Sequence, residues 1–130
     1  MDTIEYNRNA WNLQSDEGCR WSTPFSDDII EKAKCGDWSV ILTPNHSVPK
    51  SWFPSGGDLA GVEVLALASG GGQQVPVLAA AGADVTSWDN SDVQLQKDAD
   101  TCAAHGLKVR TYQGHMGNLA ALSDESFDII

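Results

Sequence analysis

Basic residues are scarce in this chain. Eight Lys and Arg stand against eighteen Asp and Glu, for a formal net charge of −10. No Lys/Arg cluster interrupts that balance, so nucleic-acid backbones and anionic lipid surfaces are repelled rather than recruited. Long apolar runs are missing as well, since no stretch approaches the roughly 20 residues needed to cross a membrane. The opening "MDTIEYNRNA" lacks the basic-then-apolar order of a secretory signal. Together these absences predict a cytoplasmic protein with neither nucleic-acid nor membrane partners. Cysteine is sparse and unpatterned: Cys19, Cys35 and Cys102 form no CxxC pair and share no metal-ligand spacing with His46, His105 or His115. Reduced structural thiols and no metal site are expected. Internal repeats and low-complexity tracts are also absent.

What is present divides near Gly56-Gly57. Residues 1–57 are irregular and hold four of the five tryptophans; residues 58–130 alternate regularly. The first part reads as a helical, Trp-rich cap segment. Ile4 and Trp11, seven apart, suggest a helix from Thr3 to about Leu13. A second helix is expected from about Asp27 to Cys35, with Ser26 as N-cap, Asp27 and Asp28 at the positive end of the dipole, Lys32 and Lys34 at the other, and Gly36 as the stop. "WSVILTP" reads as a short strand ended by Pro44, and "NHSVPKSWFPSGGD" as a loop.

The second part has the period of βα units. "VEVLALAS" (Val62–Ser69) is a near-continuous apolar run, as in a strand covered on both faces. "QVPVLAAAGA" follows as a helix, with Pro76 tolerable only in its first turn. "DVTSWDN" is a second strand; Ser91 then caps a helix whose stripe is Leu95, Ala99, Cys102 and Ala103, closed by Gly106. "LKVRTYQG" is a third strand and "SFDII" begins a fourth. Strand starts at Val62, Asp84, Lys108 and Phe127 recur at the spacing of a parallel sheet. The fold class is α/β: a Rossmann-like parallel sheet with helices on both faces, truncated after the start of the fourth strand. Residues 58–130 would form its ligand-binding half-domain.

Gly70, Gly71 and Gly72 end the first of these strands, the place where such sheets bind ligands. Glycine there admits a ligand close to the backbone, and the following helix offers free N–H groups. The competing reading is a flexible turn. A phosphate cradle fits less well, because no Gly-Lys-Ser/Thr follows and the dinucleotide pattern G-x-G-x-x-G breaks at Val75. Asp89 ends the next strand, where a carboxylate can accept hydrogen bonds from both hydroxyls of a ribose. Its alternative role is to help Ser91 cap the next helix, and the two are compatible.

The string "VLALASGGG…VTSWDNS…TYQGHMGNLAALSDESFDII" resembles the class I, Rossmann-like S-adenosylmethionine-dependent methyltransferases. Their first motif, V-L-D-x-G-x-G-x-G, aligns with Val64 through Gly72. Their hydrophobic-x-x-x-D-x-S motif aligns with the strand ending in Asp89-Asn90-Ser91, and D-x-SFD followed by two hydrophobic residues aligns with Asp124 through Ile130. The resemblance covers about Gly61 to Ile130. It implies S-adenosyl-L-methionine as cofactor, wrapped by Ala68, Ser69, Gly70, Gly71 and Gly72. Asp89 would hold the ribose, Asn90 and Met116 would flank the adenine, and backbone at His115–Met116 would meet its edge. Trp11 and Trp21 are expected in core packing, with cover over the pocket as the alternative. Two departures stand out. Ala66 and Ala68 replace the usual acid and first glycine of the first motif, and His115 replaces a common acid after the third strand.

The implied activity is methyl transfer to an unidentified small-molecule acceptor. The alternatives are an NAD-binding oxidoreductase domain and a non-catalytic methyltransferase-like interaction module. No catalytic residue emerges. His105 reads as a solvated imidazole at a helix end, His46 lies in a Pro-bounded loop, and His115 reads as a cofactor contact rather than a base. Because Ile130 falls inside an apolar run, the chain alone is expected to be inactive and to self-associate through the exposed C-terminal strand.

Overall fold

The computed structural model describes residues 1–130. Four helices and five strands follow in order: α1 (Thr3–Asp16), α2 (Asp27–Lys34), β1 (Ile41–Thr43), β2 (His46–Ser47), β3 (Glu63–Leu67), α3 (Gln74–Ala80), β4 (Asp84–Asp89), α4 (Asp92–Ala104) and β5 (Arg110–Gln113). The main sheet is parallel with order β3-β4-β5. Its register pairs Leu67 with Trp88 and Asp89 with Gln113. On the free side of β3, Ile129 forms a parallel bridge to Val64, and the Leu65 N–H donates to the Ile129 carbonyl at 3.0 Å. The strand order across the sheet is therefore β5, β4, β3, then the Ile129 segment. This α/β arrangement is Rossmann-like.

Local chemistry sets the boundaries. Asp2 caps α1 by accepting the Glu5 N–H at 2.8 Å, and α1 runs to Asp16, three residues past the expected end. Ser91 caps α4 through its hydroxyl, which accepts the Gln94 N–H at 3.1 Å. Ser26 precedes α2 as expected but makes no side-chain cap; its carbonyl accepts the Ile29 N–H instead. Pro76 is the third residue of α3, where its missing N–H has no intrahelical partner to lose.

One apolar cluster unites both halves of the chain. Ile30, Ala33, Trp38, Val40 and Phe53 from the first part pack with Val62, Val64, Ala66, Val75, Val77 and Val85 from the second. Val64, Ala66, Val85 and Ser87 lie on the sheet face that meets these helices, because side chains alternate along a strand. Leu65, Thr86 and Trp88 point to the opposite face, where Trp88 stacks on Tyr112 with ring centroids 5.9 Å apart.

Two elements differ from expectation. "WSVILTP" contributes only Ile41–Thr43, which folds back antiparallel on His46–Ser47 as a small hairpin outside the main sheet. Pro44 and Asn45 reverse the chain, so the segment read as a loop begins with a strand. The buried face of α4 is Gln94, Leu95, Asp98 and Cys102, while Ala103 is exposed. The stripe is rotated because a polar side chain, Asp98, occupies its centre.

Candidate functional site

β3 stops at Leu67, and its ladder continues by one bond, from the Ala68 N–H to the Trp88 carbonyl at 2.8 Å. Ala68 then adopts φ 50, a left-handed conformation that a residue with a Cβ rarely takes. The glycines that follow are not a loose turn. A Cβ on Gly71 would lie 3.0 Å from the Trp21 carbonyl, and one on Gly72 would lie 2.8 Å from Thr101 Oγ1 and 2.9 Å from Pro24. Both also have positive φ, 120 and 78. Glycine is required here because α4 and residues 20–24 press on the loop.

The loop amides turn inward. The Gly70 N–H donates to Asp89 Oδ2 at 3.1 Å, the Gly71 N–H to the Gln94 carbonyl at 3.0 Å, and the Gly72 N–H to Asp98 Oδ1 at 2.8 Å. These three donors fix the shape of the loop and are not free for a ligand. Asp89 also accepts the Ser91 N–H through Oδ1 at 2.8 Å. Its carboxylate therefore ties the end of β4 both to the glycine loop and to the start of α4. Asp98 is fully buried. Burial pushes its carboxyl up to about 7, bonds from Gly72 and Ser87 pull the other way, and the neighbouring Asp89 charge raises it further.

A cavity of about 490 Å³ opens in front of this loop, lined by Ala68, Ser69, Gly70, Asp89, Asn90, His115 and Met116 among others. The structure thus gathers these sequence-predicted residues around one space. Gly71 and Gly72 are not on its wall; they stand behind it, against α4 and Pro24. Asn90 commits its side chain to α1, donating from Nδ2 to the Ile4 carbonyl at 2.8 Å. His115 Nδ1 accepts the Gly117 N–H at 3.1 Å.

Trp11 and Trp21 belong to the cavity wall, not to the core. They are 47% and 39% exposed and face the same space, together with Asn7. Residues 20–25 are fastened beside the loop: Gln73 Nε2 donates to the carbonyls of Arg20 and Thr23, each at 2.7 Å, and the Phe25 N–H donates to the Gly72 carbonyl at 2.9 Å. Lys97 Nζ spans Ser15 and Ser22, donating to their carbonyls at 2.9 and 2.7 Å. Sequence reasoning did not find Gln94 or Trp88 as wall residues. Gln94 Oε1 and Trp88 Nε1 are both buried without a hydrogen-bond partner. The signal for Gln94 was its place in the first turn of a helix beginning at the ligand edge of the sheet.

The remaining histidines lie elsewhere. His105 is not solvated: its ring is 8% exposed and sits between Asp27 at 3.1 Å and Glu31 at 3.0 Å of α2. A carboxylate on each ring nitrogen explains its position better than the helix end alone. His46 contacts Thr43 Oγ1 in the hairpin at 2.9 Å.

A parallel sheet with a glycine loop after its first strand and a carboxylate closing its second defines a Rossmann-like fold. Residues 64–130, just over half of the chain, match a family described as "Methyltransferase domain". The chain is also 46% identical over 127 residues to an uncharacterized methyltransferase, YbaJ, of Bacillus subtilis (strain 168). That alignment covers 98% of this chain and 49% of the relative, so the chain spans about half of the relative's length. The chain belongs to the methyltransferase-domain family.

Proposed function

We propose that this chain carries the cofactor site of an S-adenosylmethionine-dependent methyltransferase that acts on a small-molecule acceptor. The observation that carries the reading is one cavity joining the glycine loop to Asp89, with a buried acceptor, Gln94 Oε1, left unpaired beside it. Its volume of about 490 Å³ suits a nucleoside-sized ligand.

S-Adenosylmethionine supplies, when bound, a methyl group activated on a positively charged sulfur. The protein's part is placement and exclusion of water. Asp89 would receive the ribose hydroxyls on the lone pairs that its two backbone donors leave free. Asn90, His115 and Met116 would surround the adenine, and the Trp11 and Trp21 rings would close the outer wall.

Calorimetric titration with S-adenosylhomocysteine, S-adenosylmethionine and NAD tests the reading. S-Adenosylhomocysteine should bind more tightly than NAD, and the reverse order would overturn it.

A further inference from the structure

The main-chain register places Ala66 beside Ser87 on neighbouring strands, so their side chains leave the same face of the sheet. Asp98 reaches that spot from α4. Its Oδ2 accepts the Ser87 hydroxyl at 2.8 Å, and its Oδ1 accepts the Gly72 N–H at 2.8 Å. The carboxylate therefore bridges the middle of β4 to the far end of the glycine loop, where α3 begins. Asp89 holds the near end through Gly70.

We propose that Asp98 is the positioning residue of the glycine loop, supplying from α4 the acid that the strand lacks at Ala66. The inference rests on the cofactor reading given above. A carboxylate in this position is expensive. It is fully buried, and its hydrogen-bond partners, the Gly72 N–H and the Ser87 hydroxyl, are both neutral. Asp89 approaches from β4 and the Cys102 thiol from one turn further along α4. The nearby Lys97 ammonium is directed instead to the carbonyls of Ser15 and Ser22. An acid kept under these conditions, with one oxygen on the loop, acts on the loop.

The test uses Asp98→Ala, Asp98→Asn and an exchange of positions, Ala66→Asp with Asp98→Ala, read by S-adenosylhomocysteine affinity and by amide hydrogen exchange at Gly70–Gly72 in the unliganded chain. Asp98→Ala should weaken binding about tenfold or more and speed exchange at Gly72. Asp98→Asn keeps an acceptor for Gly72 and a partner for Ser87, and should stay within about threefold of wild type. Ala66→Asp alone crowds a second carboxylate against the first and should bind poorly, whereas in the Asp98→Ala background it should recover most of the lost affinity. If Asp98→Ala fails to fold, Ser87→Ala carries the test in milder form, by freeing one end of the brace. Wild-type affinity and wild-type exchange in Asp98→Ala would overturn the proposal. Recovery with Asn but not with the exchanged pair would overturn the equivalence of the two positions. A wild-type chain that does not bind S-adenosylhomocysteine ends the cofactor reading and any role of Asp98 in ligand placement; Gly72 exchange then decides the brace alone.

Discussion

Two helices wall the same cavity by opposite means. α4 buries Gln94, Leu95, Asp98 and Cys102 against the sheet, whereas α1 buries only Ser15. The side-chain hydrogen bonds that tie α1 to the rest of the chain are few: Asn12 to Ser91 and Asp92, Asn90 to the Ile4 carbonyl, Lys97 to the Ser15 carbonyl, and Arg8 to Asn90. Burial makes α4, with its neighbour α3, part of what keeps the chain folded. Exchangeable hydrogen bonds leave α1 able to loosen without unfolding the sheet. The glycine loop lies on the α4 side of this division, and Trp11 lies on the α1 side.

The largest effect that would sharpen the contrast comes from Asp98. Its carboxyl is pushed up to about 7 from an ordinary 3.8. Between those values the folded chain holds a proton that the unfolded chain has released, so stability falls as pH rises and the loss is complete above the higher value. At about 1.4 kcal/mol per unit the change is on the order of 4 kcal/mol. Denaturant midpoints measured from about pH 4.5 to 7.5 should fall for wild type, and Asp98→Asn should lack that part of the slope. Parallel profiles would mean that Asp98 is no more perturbed than a surface acid, and the division between the two helices would lose its main support.

A matched pair of truncations comes next. Val77 of α3 is 0% exposed, and Val77→Ala removes two methyl groups, worth about 2 kcal/mol with the cavity included. Trp11→Ala on α1 removes a far larger side chain from a half-open wall. It should cost less than about 0.5 kcal/mol of stability while weakening S-adenosylhomocysteine several-fold. Thermal melts and titrations of both variants check this, and equal destabilisation would erase the distinction.

How much of this was legible in the sequence follows the same division. The buried elements announced themselves: β3 as a continuous apolar run, β4 ending in Asp89, Ser91 as a cap, the glycines at a strand end. The polar attachments did not. Trp11 and Ile4 lie on one helical face, which reads as core, yet 47% of Trp11 and 38% of Ile4 are exposed, and Trp11 lines the cavity. Hydrophobic spacing cannot tell a core from a pocket wall, since both are apolar surfaces. Asp98 was hidden differently. The stripe of Leu95, Ala99, Cys102 and Ala103 passes it over, although it stands three residues after Leu95 and four before Cys102. An acid within an apolar stripe was the available signal.

A smaller effect is expected from the latch on α1. Asn12 donates from Nδ2 to Asp92 Oδ1 at 2.9 Å and accepts the Ser91 hydroxyl through Oδ1 at 2.6 Å. The first of these bonds is also the main cause holding the Asp92 carboxyl below its ordinary value. Asn12→Ala should cost about 1 kcal/mol, return the Asp92 titration upward, and speed amide exchange in α1 without changing exchange in α4. Equal acceleration in both helices would show that they open together.

The smallest effect lies where β3 enters the loop. Ala68 sits at φ 50 immediately before glycines that adopt positive φ freely. For alanine that conformation costs about 1–2 kcal/mol, while glycine adds about 0.4–1 kcal/mol of unfolded-state entropy. Ala68→Gly should therefore stabilise the chain by about 1 kcal/mol or less, raising the melting temperature by a few degrees. The substitution also strips a methyl group from the cavity wall. If that methyl only tolerates its conformation, S-adenosylhomocysteine affinity should hold or improve. If the melting temperature rises while affinity falls, the strain at Ala68 is retained because its methyl touches the ligand. A fall in melting temperature would show that the strain is already relieved by packing around the loop, and that Ala68 belongs with the rigid α4 side of the site.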